Sequence, residues 1–110
     1  MVPGKQTVLS EALNRLWIQF LPQMEERVRA LESAGAALAA GTLTVDQRSE
    51  AHAAAHKLAG VLGTFDLTRG TILAREAEIV YATEPETDAE TAARLTSIAA
   101  QLRVIVASRR

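Results

Sequence analysis

Two histidines, His52 and His56, stand four residues apart near the middle of the chain and are followed by residues with almost no side chain, Ala59, Gly60 and Gly63. On an ideal helix, turning about 100° per residue, these five positions share one stripe. A neutral imidazole nitrogen is a competent nucleophile near neutral pH, since a free imidazole titrates at about 6.5. A phosphoryl group taken onto that nitrogen forms a labile bond and can be passed onward. Glycine inside a helix costs about 1 kcal/mol relative to alanine, so Gly60, one turn beyond His56, needs a reason other than helix stability. Bare surface beside an exposed imidazole supplies one, because the loops of another protein can approach the ring and bring an acceptor in line with a nitrogen. His56 is the expected reactive residue. His52, followed four residues later by His56 and not by glycine, is expected to flank the site and contact the partner.

The pair also spells His-x-x-x-His, a spacing that can set two ring nitrogens on one metal ion. The remainder of such a site is missing from the sequence, because Ala53 and not glutamate follows His52 and no Glu-x-x-His occurs. There is no cysteine, which excludes disulfides, thiolate ligands and a cysteine nucleophile and is compatible with a reducing compartment. No metal and no cofactor are expected.

The elements that position these residues are helical. Of the 110 residues, 48% are hydrophobic, many of them Ala and Leu, with only two Phe, one Trp and one Tyr, a composition that favours packed helices over a β-sandwich. Leu9, Leu13, Leu16 and Phe20, with Trp17 alongside, predict a first helix over about 7–21 that ends at Leu21-Pro22. Met24, Val28, Leu31, Gly35 and Leu38 predict a second, up to Gly41. Thr44 with Gln47 forms a capping-box pattern and opens the histidine-bearing helix to about Gly63, whose core stripe is Ala51, Ala55, Leu58 and Leu62. Asp66 is expected to cap a further helix with Leu73, Ala77 and Val80 inward, stopped by Thr83-Glu84-Pro85. Thr87 with Glu90 suggests a last capping box, and Ala92, Leu95, Ala99, Leu102 and Val106 carry the final helix. Short connections make consecutive helices antiparallel. The expected fold is all-α: a single domain over 1–110, with an up-down four-helix bundle over about 22–109 and an additional N-terminal helix covering one end.

The formal net charge of -1 provides no field to draw the chain onto nucleic acid or an anionic membrane. No run approaches the ~20 apolar residues of a membrane span, and the amino terminus has no signal-like apolar run. A cytoplasmic monomer is the expectation. The acids Glu84, Glu86, Asp88 and Glu90 suit the start of the final helix, and Arg103, Arg109 and Arg110 its carboxyl half.

The run Ala55-His56-Lys57-Leu58-Ala59-Gly60-Val61-Leu62-Gly63-Thr64-Phe65 resembles the signature of histidine-containing phosphotransfer (HPt) domains of bacterial phosphorelays, in which leucine follows the histidine by two residues and glycine by four. The resemblance implies that His56 is the phospho-acceptor, attacking through Nε2, and that His52, Lys57, Ala59, Gly60 and Gly63 form the partner-docking surface. It places an acid of the next helix, Glu76 or Glu78, near the site. It implies as partner the receiver domain of a response regulator or hybrid histidine kinase, which brings the acceptor aspartate and the magnesium ion, so that this chain is a carrier and not an enzyme. Many members carry lysine three residues after the histidine, where this chain has Ala59. The alternative is a helical interaction module that docks a receiver or another signalling protein without exchanging phosphate.

Overall fold

The computed structural model describes residues 5–83 and 88–109. Four helices follow one another: α1 (Lys5–Ala39), α2 (Val45–Thr64), α3 (Thr68–Ala82) and α4 (Ala89–Ser108). Helix α1 packs on α2 and α4, and α3 packs on the same two from the other side, so each helix touches its sequence neighbours around a square and neither diagonal pair meets. The inward rows are those expected from the spacing: Ala51, Ala55, Leu58 and Leu62 on α2, Leu73 and Ala77 on α3, and Ala92, Leu95, Ala99, Leu102 and Val106 on α4 are all buried, while Val80 is half-buried.

The expected break at Leu21-Pro22 does not occur. The additional N-terminal helix and the first bundle helix are one continuous α1 with Pro22 inside it. Proline lacks the N–H that would bond the carbonyl of Ile18, and both residues lie on the outer face, Ile18 being 69% exposed, where water can take over that carbonyl. Trp17 and Met24, two turns apart and both buried, keep the helix on one course across the proline, because a break would pull one of them off the core. At 35 residues against 20 for α2 and α4, α1 overruns its partners, and the molecule extends 59 Å along its long axis. The row expected to cover the end of the bundle is consequently split. Trp17 is buried and Leu13 and Phe20 are partly covered, but Leu9 (61%), on the overrunning part, and Leu16 (40%) remain exposed.

Two helix ends use the same device. After α1, Thr42 N–H donates to the carbonyl of Ala37 and Gly41 N–H to that of Leu38, with Gly41 at φ 72°; after α2, Leu67 N–H donates to Leu62 and Asp66 N–H to Gly63, with Asp66 at φ 57°. These are Schellman closures, in which a left-handed residue lets the last carbonyls find donors. Asp66 therefore ends α2; the residue before α3 is Leu67, which makes no side-chain cap. Asp is among the non-glycine residues that tolerate this conformation. Helix α4 starts one residue after Asp88, whose carboxylate accepts from Thr91 N–H at 2.6 Å, so the cap is Asp88. Glu84, Pro85, Glu86, Thr87 and Arg110 lie outside the described residues.

Arg103 makes a two-bond pair with Glu32 of α1 at 2.6 and 2.7 Å, tying α4 to α1. Beyond α4, the Arg109 guanidinium sits 5.0 Å from the ring centres of both Trp17 and Phe65, which meet edge to face at 5.1 Å, and donates to Asn14. Arg109→Ala is expected to destabilise the fold by about 1 kcal/mol, read as a lower midpoint in urea with an unchanged slope. Pro22→Ala, which restores a backbone donor on an exposed helix face, is expected to raise that midpoint by the equivalent of about 1 to 3 kcal/mol.

Candidate functional site

Helix α2 carries the site, and its start is fixed by the expected capping box: Gln47 N–H donates to Thr44 Oγ1 at 3.1 Å and Thr44 N–H to Gln47 Oε1 at 2.9 Å. From there, helical periodicity sends Leu58 and Leu62 into the core and turns His56 outward, its side chain 63% exposed. The short Schellman turn brings α3 back antiparallel against α2. Thr71 faces the carbonyl of Ala59 and the Cα of Gly63, and Glu78, two turns further along α3, faces His56.

The contact between these last two decides the chemistry of the ring. His56 Nδ1 and Glu78 Oε2 are 2.6 Å apart. An ionised carboxylate can only accept, so Nδ1 carries the proton and donates it, and in the neutral ring the lone pair is left on Nε2. Glu78 is mostly covered, with 17% of its side chain exposed, and its other oxygen accepts from Arg75 at 3.0 Å. The hydrogen bond from His56, joined by that from Arg75 and the charges of both, outweighs partial burial and holds the Glu78 carboxyl below its ordinary range. Of the two acids expected near the site, Glu78 is the one present. Glu76 points to the other flank of α3 and makes a two-bond pair with Arg94 of α4 at 2.5 and 2.6 Å.

On the opposite flank of His56 an open groove of about 590 Å³ runs between α1 and α2, lined by Phe20, Arg27, Lys57, Gly60, Val61 and Phe65. Gly60 borders it, and a Cβ built there would meet nothing within 4 Å. The chain's own packing does not require glycine at 60. Lys57 lies on this α1 side of α2, away from the flank where Glu78 holds the ring.

The expected docking stripe is only partly assembled. Gly60 and Lys57 share the groove with His56, Gly63 is exposed at the border with α3, and His52 is half-buried one turn before His56. Ala59 is no part of an outer surface: it is 1% exposed. On the helical wheel it stands about 60° from His56 towards the core, and α3 closes over that arc. Arg75 was not among the expected site residues, although its place three residues before Glu78 is a helix-pair signal, and Phe20, on the row expected to cover one end of the bundle, is also a wall of the groove. No group of three or more His, Asp or Glu side chains able to hold a metal ion occurs among the described residues.

Residues 15–105 match the family model of the Hpt domain. The chain belongs to the Hpt domain family. Hpt domains are phosphocarriers of two-component phosphorelays and work with receiver domains. Among curated proteins, protein RcaC of Microchaete diplosiphon is 38% identical to this Hpt chain over 66 residues, which cover 60% of the chain and 10% of that protein. The match thus spans about a tenth of the length of the curated relative. No solved structure matches significantly. No helix among the described residues is long and apolar enough to cross a membrane.

The depressed Glu78 carboxyl makes a pH prediction for this Hpt domain. A group whose folded pKa lies below its unfolded value stabilises the fold above the unfolded value, here the ordinary 4.5, and that stability is lost as pH falls through the folded value. Glu78→Gln is expected to lower the thermal midpoint at pH 7, with the difference from wild type closing as pH drops below the ordinary carboxyl range; calorimetry at pH 7 and pH 3 measures it.

Proposed function

We propose that this Hpt domain accepts a phosphoryl group on Nε2 of His56 and exchanges it with the aspartate of a receiver domain. The observation that carries the reading is the 2.6 Å bond from Nδ1 to Glu78, which directs the free lone pair of an exposed ring away from the bundle. In the accepting direction the Nε2 lone pair attacks the phosphorus of the receiver's acyl phosphate. The bond from phosphorus to the aspartyl oxygen breaks, and its electron pair returns to the carboxylate. The ring retains its Nδ1 proton, and the positive charge it gains lies against Glu78. In the donating direction an aspartate oxygen attacks the same phosphorus, and the nitrogen to phosphorus bond gives its electrons back to Nε2.

The receiver supplies the acceptor and, with it, the magnesium ion of its own site; this chain supplies an oriented nitrogen and room for approach. In-line transfer needs the attacking and leaving atoms on opposite sides of phosphorus, so the partner must come close to Nε2 over the outer surface of α2. Gly60 leaves that surface open, Lys57 lines the groove beside the ring, and His52 and Gly63 lie one turn before and two turns after it on α2. The partner is the receiver of a response regulator or of a hybrid histidine kinase, and the exchange takes place in the cytoplasm.

Incubation with a phosphorylated receiver is expected to leave acid-labile, base-stable label on wild-type protein and none on His56→Gln. Undiminished label on His56→Gln would overturn the assignment. Gly60→Arg adds a long side chain where the fold has open space, so it is expected to keep or raise the thermal midpoint while lowering kcat/KM for transfer by roughly 100-fold or more. A phosphate-independent docking module would instead lose binding with Gly60→Arg and be indifferent to His56→Gln.

A further inference from the structure

The carboxylate that orients His56 also opposes what the ring is to carry. A phosphoryl group on Nε2 brings a charge approaching -2 to one side of an imidazole whose other nitrogen is 2.6 Å from an ionised Glu78. The two negative groups are separated by the hydrogen bond, the ring and the nitrogen to phosphorus bond, within the Debye length of about 8 Å at physiological ionic strength, so salt screens them only in part. The single positive charge that the ring gains lies between them and cannot offset both a carboxylate and a phosphoryl group, so a second cation on the Glu78 side favours the phosphorylated form. Arg27 and Lys57 line the groove on the α1 flank, and the α3-facing side of α2 presents buried Ala59 one turn after His56. Arg75 is the cation in place. It projects from α3 one turn beyond Thr71, which faces Ala59, and its Nη1 is 3.0 Å from Glu78 Oε1. One carboxylate thus bridges the two groups, holding the imidazole with Oε2 and the guanidinium with Oε1.

We infer that Arg75 sets the phosphoryl-transfer potential of His56: it neutralises Glu78, so that the carboxylate can orient the ring without repelling the phosphoryl group. Arg75 is a positioning residue, acting through Glu78 without touching the ring. The inference rests on the reading of His56 as phospho-acceptor.

The test uses the full chain and phosphoramidate, a small donor that removes any effect on receiver docking. Nε2 attacks its phosphorus, the phosphorus to nitrogen bond of the donor breaks, and that nitrogen leaves as ammonia on taking up a proton. The equilibrium fraction of phosphohistidine at fixed donor and ammonia concentrations is read by phosphorus NMR for wild type, Arg75→Gln, Arg75→Lys, Glu78→Gln and the double variant Arg75→Gln/Glu78→Gln. Arg75→Gln is expected to lower the equilibrium constant roughly three- to fivefold, the scale of an exposed ion pair. Arg75→Lys should restore most of it. The double variant should match Glu78→Gln alone, because with no carboxylate there is nothing left to neutralise. The inference fails if Arg75→Gln equals wild type, if lysine restores nothing, or if the double variant is as poor as Arg75→Gln. A purely structural arginine would shift the thermal midpoint and leave the equilibrium unmoved. Absence of phosphohistidine from wild type, or its persistence in His56→Gln, would remove the reading of the site itself, an outcome distinct from a phosphorylated wild type with an indifferent Arg75→Gln.

Discussion

A carboxylate on one helix meets an imidazole on the next only if the two helices lie close and in fixed register, and the site depends on that packing between α2 and α3. Small residues supply the closeness. At Gly70 a Cβ would come within 2.9 Å of Leu62 Cδ1, and at Gly63 one would stand 3.6 Å from Thr71 Oγ1. Ala55, Ala59, Ala74 and Ala77 are buried on the same two helices. The register comes from the turn. Three residues separate α2 from α3, and with Asp66 left-handed the chain reverses so that Leu62 lies by Gly70, Ala59 by Thr71 and His56 by Glu78. A slip of one residue would put Ile79 or Ala77 opposite the ring and leave Nδ1 without an acceptor.

This dependence explains what could be read from the sequence and what could not. The core rows of α2, α3 and α4 were legible because burial on a helix repeats every three or four residues whatever the neighbours are, and the Thr44 cap because both of its bonds are local. Ala59 was misplaced for a related reason. A wheel gives an angle but not the width of the covered arc, and α2 is flanked by both α1 and α3, so its buried arc reaches further round than one stripe. The choice between Glu76 and Glu78 likewise turns on the register of α3 against α2, which no local pattern carries. Asp66 and Pro22 each have a common meaning, cap and breaker, that tertiary structure overrode: the first by serving the end of the preceding helix, the second by lying on an exposed face where water can take over the carbonyl it leaves unbonded.

The overrun of α1 marks where the bundle ends. Asn14 accepts from Arg109, the residue that follows α4, and the family match begins at residue 15. Trp17 and Phe65 close that end of the core with Arg109 across them. Further toward the N-terminus the apolar spacing continues from partly covered Leu13 to Leu9, which is exposed, so a pattern that reads as an amphipathic element shows its outermost leucine to solvent. The same row, followed inward, reaches Phe20 in the wall of the groove beside His56.

Around His56, then, α2 presents three sides with separate tasks. The side facing α3 holds the ring by Glu78, which Arg75 bonds in turn, and on the proposed reading this pair orients the ring and balances its charge. The side facing α1 offers a groove with an apolar floor and two cations, Arg27 and Lys57. Between them Gly60 leaves the approach open. The separation has a physical basis. A group that fixes a nucleophile must remain bonded to it throughout the transfer, whereas a surface that admits a partner must be empty before the partner arrives, and one side chain cannot satisfy both demands. Placing the first on a packed helix interface and the second on an unfilled groove lets each be met without compromise. On the reading of His56 as phospho-acceptor it also accounts for a glycine that weakens α2 at the turn following that residue.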